Sequence, residues 1–171
     1  MNKKINYGYI FQDNIKKSCM KQDVLFYRFK DSATSFSGGS ARFTPKNICD
    51  CMVFHRGILL FLELKSCKGK SFSFTEHSLK QLKDIDKILK DKVDNYRPKV
   101  YGGFLIEFRE ISKTIFISTE NIIRYLHENN TKTLNYDKLI KDNNINFNII
   151  EQTLKIKNYE YNIINLLNIF I

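Results

Sequence analysis

Three side chains in one apolar stretch have the types and the spacing that suit metal chemistry. Asp50, Glu63 and Lys65 lie within residues 47–69, which read NICDCMVFHRGILLFLELKSCKG. Most of that stretch is typical of a buried pair of strands, where carboxylates and an ammonium are unfavourable without compensating partners. Carboxylate oxygens are ligands that Mg²⁺ prefers, and a neighbouring lysine can orient water or stabilise negative charge developing on phosphorus.

The spacing of these residues predicts that they share one face of a hairpin. If a two-residue turn at Arg56-Gly57 joins the strands, opposed residue numbers sum to 113, so Asp50 faces Glu63. Side chains alternate along a strand, which gives one face these members: Asp50, Met52, Phe54, Leu59, Phe61, Glu63 and Lys65. The carboxylates would then be roughly 5 Å apart at Cβ and would repel each other unless a cation lies between them. The backbone carbonyl of Leu64 is expected to point towards the same cation.

An alternative reading is a salt bridge at the frayed end of a hairpin. Exposed pairs of this kind contribute only ~0–1 kcal/mol, and burying all three groups without a ligand is costly. The D-x12-E-x-K spacing alone is weak, because such triplets arise by chance. Its position on a hydrophobic hairpin in a basic protein favours a metal-dependent nuclease.

A zinc site is the second alternative, because cysteines flank the three residues. Cys49 and Cys51 surround Asp50, and Cys67 follows Lys65. The C-x-C spacing with one distant cysteine matches no zinc pattern, and no second C-x-x-C or paired histidine completes four ligands. Buried reduced thiols are the favoured interpretation, and a chain of this size needs no disulfide framework.

Composition indicates a folded, basic protein. Of 171 residues, 28 are Lys or Arg and 18 are Asp or Glu, giving a formal charge of +10. Such a surplus usually meets a polyanion, most often nucleic acid, although it also keeps a protein soluble. The chain has no apolar run of about 18 residues and no secretion signal at its start, so we expect no membrane partner and a cytoplasmic location.

The order of elements predicts an α/β fold, a mixed β-sheet flanked by helices, in a single domain over residues 1–171. A capping box of Ser73 and Glu76 is expected to open the second helix. The core is expected over about 8–142, with a C-terminal extension over 143–171. The predicted elements are a helix at 8–20, a strand at 23–31, a loop at 32–47, the strand pair, a helix at 73–90, strands at 99–108 and 113–118, a helix at 120–128 and a small hairpin in 153–163.

These residues resemble the PD-(D/E)xK nuclease core, with Pro45 and Asp50 as a stretched "PD" element and Glu63-Leu64-Lys65 as the second. More narrowly, the chain is similar to RecU-type Holliday junction resolvases, in the short branch found in phages and low-GC bacteria. The matching pieces are GYIFQDNIKKS, YRFKDS, RFTPKNICD, LELKSCKGKSFSF, LKQL, GGFLIEF and TIFIS. In this order they cover roughly residues 8–142 and are more specific than the triplet alone.

The resemblance implies a restriction-endonuclease-like fold and a Mg²⁺-dependent endonuclease, with Mn²⁺ as a substitute. By its motif, Asp50 and Glu63 are metal-binding carboxylates and Lys65 is the catalytic lysine; Gln81 resembles the family's glutamine at the metal site. The implied metal ligands are Asp50, Glu63, Gln81 and the Leu64 carbonyl. Ile48 departs from the family, because better-known members have a threonine two residues before the aspartate.

The resemblance also implies a partner, branched DNA, which a homodimer would cut by paired nicks that leave 5′-phosphate and 3′-hydroxyl ends. Lys68 and Lys70 are the candidates for holding the DNA backbone, together with Arg42 and Lys46. The loop 32–47 is shorter than the family's junction-inserting stalk. The location is then the cytoplasm of a bacterium or of a phage-infected host. Two alternatives stay open: a nuclease of restriction or repair type acting on linear duplex, and a non-catalytic protein that binds branched DNA.

Overall fold

A computed structural model describes residues 5–29, 47–92, 99–156 and 158–171. The loop expected at 32–47 falls outside these residues except for Asn47, and so do Arg42, Pro45 and Lys46. The helices are α1 (Tyr7–Lys21), α2 (Glu76–Lys92), α3 (Thr119–Glu128), α4 (Tyr136–Leu139) and α5 (Ile163–Asn168). The strands are β1 (Leu25–Arg28), β2 (Cys51–His55), β3 (Ile58–Cys67), β4 (Ser71–Ser73), β5 (Lys99–Phe108), β6 (Lys113–Ser118), β7 (Thr133–Asn135), β8 (Asn148–Ile150), β9 (Gln152–Leu154) and β10 (Tyr159–Tyr161).

The predicted α/β architecture is confirmed: a six-stranded mixed sheet is flanked by helices. Its strand order is β1-β2-β3-β5-β6-β8. The β3–β5 pair is parallel and the other neighbouring pairs are antiparallel. Parallel neighbours need a crossover, and here it runs through β4 and α2. The two long central strands, β3 and β5, therefore end at the same edge of the sheet.

The hairpin register is the one that the sequence predicts. Cys51 pairs with Leu62 and His55 with Ile58, so opposed residue numbers sum to 113. Arg56 and Gly57 both have positive φ, at 48° and 81°. Two positive φ values in a two-residue loop are characteristic of a type I′ turn, whose twist matches that of the flanking strands. The turn thereby fixes which residues face each other at the far end of the hairpin.

Alternation along β2 and β3 sorts the side chains into two apolar clusters, one on each face of the sheet. One cluster joins α1 and α5 to β2, β3 and β5, with Phe11, Ile15, Val53 and Leu62 among its buried members. The other joins α2 and α3 to β5 and β6 and includes Phe104. The packing puts α2 over the face that carries Glu63 and Lys65.

The start of α2 differs from the predicted capping box, which is wrong. Ser73 ends β4, and its hydroxyl lies 3.0 Å from that of Thr133 on the paired strand β7. Thr75 takes the capping role instead, because its Oγ1 accepts a hydrogen bond from the backbone N–H of Ser78 at 3.2 Å. A serine that pairs in a two-stranded ladder is not available to cap a helix that begins three residues later.

The C-terminal residues pack against the sheet and α1. The small hairpin expected in 153–163 is present as β9 paired with β10, and β8 adds an edge strand next to β6. Gln22, just after α1, holds this segment: its Nε2 donates to the Tyr161 carbonyl at 2.6 Å, and its Oε1 accepts from the backbone N–H groups of Ile163 and Ile164. One amide side chain therefore joins the first helix to the start of α5. Among the described helices, none is long and apolar enough to span a membrane.

We expect opposite effects on stability from substitutions at the two turn residues. Arg56→Asn should raise the free energy of unfolding by about 0.5–1 kcal/mol, because asparagine tolerates positive φ better than arginine. Gly57→Ala should lower it by roughly 1–2 kcal/mol, since a Cβ strains this backbone although the space around Gly57 is open. Urea unfolding of both variants measures the difference. Equal stabilities would contradict the type I′ turn.

Candidate active site

Glu63 is the buried centre of the candidate site. It lies on β3, one residue past Leu62, which pairs with the first residue of β2. Its side chain is 0% exposed. Its neighbours along the same strand, Leu62 and Leu64, are buried on the other face of the sheet. A carboxylate at such a position needs partners that satisfy both of its oxygens.

Asp50 and Glu63 are joined through the backbone as well as by position. The Asp50 N–H donates to Glu63 Oε2 at 3.1 Å, and Asp50 Oδ2 accepts from the Leu64 N–H at 2.8 Å. These two hydrogen bonds extend the hairpin beyond β2, with side-chain oxygens as the acceptors in place of backbone carbonyls. The second oxygen of Asp50 has no hydrogen-bond partner among the described residues.

Lys65 and Gln81 complete the cluster from the strand and from α2. Lys65 Nζ lies 2.5 Å from Glu63 Oε1 and donates to Gln81 Oε1 at 3.3 Å. The structure thus brings together the four side chains that the sequence singled out, from the residue before β2, from β3 and from α2. Gln81 is buried. It reaches the cluster from α2 because the crossover places that helix over this face of the sheet.

The electrostatics of the cluster favour an added cation. Burial, followed by the nearby charge of Asp50, raises the pKa of the Glu63 carboxyl to about 7, against the lowering effects of Lys65 and Gln81. Two carboxylates and one ammonium leave one negative charge uncompensated when both acids are ionised. A divalent cation would remove this deficit.

The thiols around the site are free, and two of the three are buried. Burial raises the pKa of the Cys49 thiol to about 12 and that of Cys67 to about 11, and it raises the pKa of Cys51 well above its ordinary value. In the absence of a metal these thiols are protonated and pack as small apolar groups. The Cys49 thiol donates to the Cys51 carbonyl at 3.2 Å. No three Cys, His, Asp or Glu side chains of the described residues are grouped so as to hold a metal, so the zinc alternative has no support in this geometry.

The donor set instead fits a small hard cation. Within the described residues no group of three His, Cys, Asp or Glu side chains could hold a metal, so a fully protein-made cage is absent there. Mg²⁺ is commonly bound through one or two carboxylates, with water and substrate phosphate completing its octahedron. Asp50 and Glu63, with the Gln81 amide oxygen beside them, provide such a partial set.

The candidate DNA-binding lysines lie beyond the end of β3, in the connection to β4. Lys68 is exposed, and its carbonyl accepts from the Glu110 N–H at 2.9 Å. Lys70 is exposed and forms an ion pair with Asp137 at 3.1 Å. Both are near the site along the chain, whereas Arg42 and Lys46 are outside the described residues.

A second buried carboxylate at the same end of the sheet was not anticipated from the sequence. Glu107, on β5, accepts from Ser66 Oγ at 2.6 Å and from the Tyr161 hydroxyl at 3.0 Å. Burial, followed by the charge of Glu107, raises the pKa of Tyr161. Ser66 follows Lys65 and points to the opposite face, so this network anchors β3 from behind the candidate site.

Removing divalent metal should make stability depend on pH through Glu63. Its pKa is about 7 in the folded protein and about 4.5 in the absence of interactions, so the folded state holds the proton more tightly. The free energy of unfolding should therefore fall as pH rises from about 4.5 to about 7, by at most about 3 kcal/mol. Mg²⁺ should displace the proton at pH 6 and raise the melting temperature.

Thermal unfolding at several pH values, in EDTA and in Mg²⁺, measures this dependence. Glu63→Gln is the control, since it removes the titrating group and should flatten the pH profile over this range. An unchanged slope in that variant would assign the pH dependence to other groups.

Comparisons with known proteins give a modest set of similarities. No protein-family model matches the chain. The chain is 37% identical over 123 residues to the SPbeta prophage-derived uncharacterized protein YotM of Bacillus subtilis (strain 168), covering 70% of this chain and 60% of that protein. The chain thus spans about three fifths of the length of this relative.

Among solved structures, the chain is similar to Hjc, a Holliday junction resolvase from the archaeal hyperthermophile Archaeoglobus fulgidus. The TM-score is 0.46 and the sequence identity 10%, over 67% of this chain and 78% of that chain. Values this low are insufficient to transfer a function from one chain to the other.

Proposed function

We propose that the protein is a Mg²⁺-dependent DNA endonuclease of the PD-(D/E)xK type that resolves four-way junctions. The observation that supports this most is the cluster of Asp50, Glu63, Lys65 and Gln81 at the end of β3. Two carboxylates beside a lysine on adjacent strands, in a chain of charge +10, suit hydrolysis of a polyanion. The 2.5 Å contact between Lys65 and Glu63 holds the lysine at a carboxylate that we propose as a metal ligand.

The order of elements supports the same proposal. A helix, a strand, a hairpin that carries the acids, a crossover helix and a parallel strand follow one another in α1, β1, β2–β3, α2 and β5. This is the arrangement expected of a restriction-endonuclease-like core, in which the site lies where the central strands end. The likeness in topology adds weight only because the side chains of the site are present on it.

The roles of the residues follow from their charges and positions. Asp50 and Glu63 would hold Mg²⁺, with the Leu64 carbonyl and Gln81 as further oxygen donors; Mn²⁺ would substitute. When bound, the metal would polarise the scissile phosphate and lower the pKa of water. Lys65, 23% exposed, would orient the attacking water and stabilise the charge that develops on phosphorus. In-line attack would leave 5′-phosphate and 3′-hydroxyl ends.

Junction resolution adds a requirement for two sites. Two symmetric nicks in a four-way junction need two copies of the chain, so we propose a homodimer. The similarity to a prophage-derived protein is consistent with a phage origin, and the proposed activity would serve recombination or repair in bacterial cytoplasm. The second candidate is a nuclease that acts on linear duplex, which the site geometry alone would serve equally well.

Cleavage of a labelled four-way junction is the test. The protein is expected to nick the junction in Mg²⁺ and to be inactive in EDTA, with little cutting of the same arms as linear duplex. Equal cutting of linear duplex would support the second candidate. Binding of the junction without cutting, in Mg²⁺ and in Mn²⁺, would instead make the protein a non-catalytic binder of branched DNA.

Binding should also depend steeply on salt. If about six phosphates are neutralised, junction affinity should fall by ~10³ between 50 and 200 mM salt, because each contact releases condensed counterions. Fluorescence anisotropy in EDTA measures this without cleavage. A flat response would mean that the basic surplus serves solubility and not DNA binding.

A further inference from the structure

Two arginines stack on tyrosines of the first turn of α1, at the same end of the sheet as the candidate site. The Arg109 guanidinium carbon lies 3.8 Å from the centre of the Tyr7 ring, and that of Arg28 lies 5.9 Å from the Tyr9 ring. Both rings are substantially exposed, Tyr7 at 44% and Tyr9 at 58%. We call these two pairs the arginine–tyrosine flank.

The sheet register locates this flank relative to the site. Arg28 pairs with Cys51, the residue after Asp50, and the Phe29 N–H donates to the Asp50 carbonyl at 3.0 Å. Arg109 directly follows β5, whose last residue pairs with Cys67. Three strand spacings separate β1 from β5, or about 14 Å, so the two arginines stand on either side of the strands that carry the site.

The flank lies on the face of the sheet opposite to Lys65. Helix α1 packs on the cluster that contains Cys51, Leu62 and Leu64, whereas Glu63 and Lys65 point towards α2. Lys70 belongs to the α2 side as well, because its ion pair is with Asp137 on α4. Cations therefore border the candidate site on both faces of the sheet.

The arginines of the flank are held by the tyrosine rings and are not neutralised by any residue that the structure describes. Neither forms an ion pair with another described residue, and Arg109 Nε is buried without a hydrogen-bond partner among them. Asp13, the acid on α1, is occupied by Lys17 at 2.6 Å. A ring that holds a guanidinium in place leaves its outer N–H groups available, and that fork matches the oxygens of a phosphate.

We infer that the arginine–tyrosine flank binds the phosphate backbone of a second DNA arm, and that it provides preference for branched over linear DNA. The inference rests on the proposed nuclease function. A duplex with its scissile phosphate at β3 contacts the lysines on the α2 side, and a linear molecule has no second arm for the opposite face. A branched molecule has one, which Arg28 and Arg109 would hold at two points, on strands about 14 Å apart.

The test is the binding of the Arg28→Ala/Arg109→Ala double variant to two labelled DNAs in EDTA. One DNA is a four-way junction, and the other is one of its arms as a linear duplex. Two lost phosphate contacts should reduce the salt slope of log affinity for the junction by about 1.8. Junction affinity should fall about tenfold or more, and duplex affinity should change less than about threefold. Arg124→Ala, an exposed arginine paired with Glu120 on α3, is the matched control and should change neither.

A single variant guards against misfolding, because Arg109 packs closely on Tyr7. Arg28→Ala disturbs only the looser 5.9 Å contact and should reduce the junction slope by about 0.9 while the duplex slope stays constant. Equal losses on both DNAs, or no loss on the junction, would overturn the inference. Failure of the unmodified protein to bind or cut any DNA would instead overturn the proposed function.

Discussion

We expect Glu63→Gln to bind four-way junctions with nearly unchanged affinity and to cut them at least about 10³ times more slowly. Glutamine keeps the shape of the side chain, and its amide oxygen can still accept a hydrogen bond. It removes the charge that holds the metal, and metal assistance contributes several kcal/mol of transition-state stabilisation. Single-turnover cleavage in Mg²⁺ and anisotropy in EDTA measure the rate and the affinity separately.

Glu107→Gln is the matched control for that experiment. Glu107 is also a buried glutamate at the end of a central strand, 6% exposed, but its hydrogen bonds to Ser66 and Tyr161 are on the other face. The substitution should lower stability and leave the cleavage rate of the folded fraction within a few fold. Undiminished cutting by Glu63→Gln, or an equal loss in both variants, would remove Glu63 from the metal site.

We expect Lys65→Ala to lower the cleavage rate by roughly 10²–10³ while Mg²⁺ binding survives. Lysine is no metal ligand, so its removal affects the reacting groups and not the cation. The charge of Lys65 lowers the pKa of Glu63, so its loss should raise that pKa further and make Mg²⁺ release more protons at pH 7. Calorimetric titration in two buffers of different ionisation enthalpy measures the proton count.

Lys68→Ala is the control that separates the catalytic effect of Lys65 from the mere loss of one positive charge. Lys68 lies three residues further along the chain and is exposed. Its removal should weaken DNA binding without changing the rate at saturating DNA, whereas Lys65→Ala should show the reverse. Loss of Mg²⁺ binding in Lys65→Ala would mean that the lysine shapes the metal site itself.

The hairpin and its two opposed acids were predictable because short-range rules decide them. Alternation with period two and a two-residue turn leave one register, and the observed pairs obey it. The strands β5 and β6 begin and end at the predicted residues 99–108 and 113–118. Each apolar run begins after a lysine, Lys99 or Lys113, and ends before a charged or polar residue, Arg109 or Ser118.

Contacts between distant segments explain what the sequence did not reveal. The capping prediction failed at Ser73 because β7, about 60 residues away, pairs with β4. The Glu107 network joins residues 41 and 54 positions apart, and no local pattern marks it. Gln81 was indicated only by a family resemblance, since its approach to Lys65 depends on how α2 crosses the sheet.

The Gln22 clamp has a consequence for the order in which the protein acquires its structure. Gln22 and Tyr161 are 139 positions apart, and closing a loop of that length carries an entropic cost on the order of 4 kcal/mol or more. At roughly 5–20 residues per second, the ribosome makes residues 159–167 on the order of ten seconds after α1. During that interval the apolar face of the nascent first helix is not yet covered by Tyr161, Ile163 and Leu167. That face is therefore exposed to chaperones and to other nascent chains.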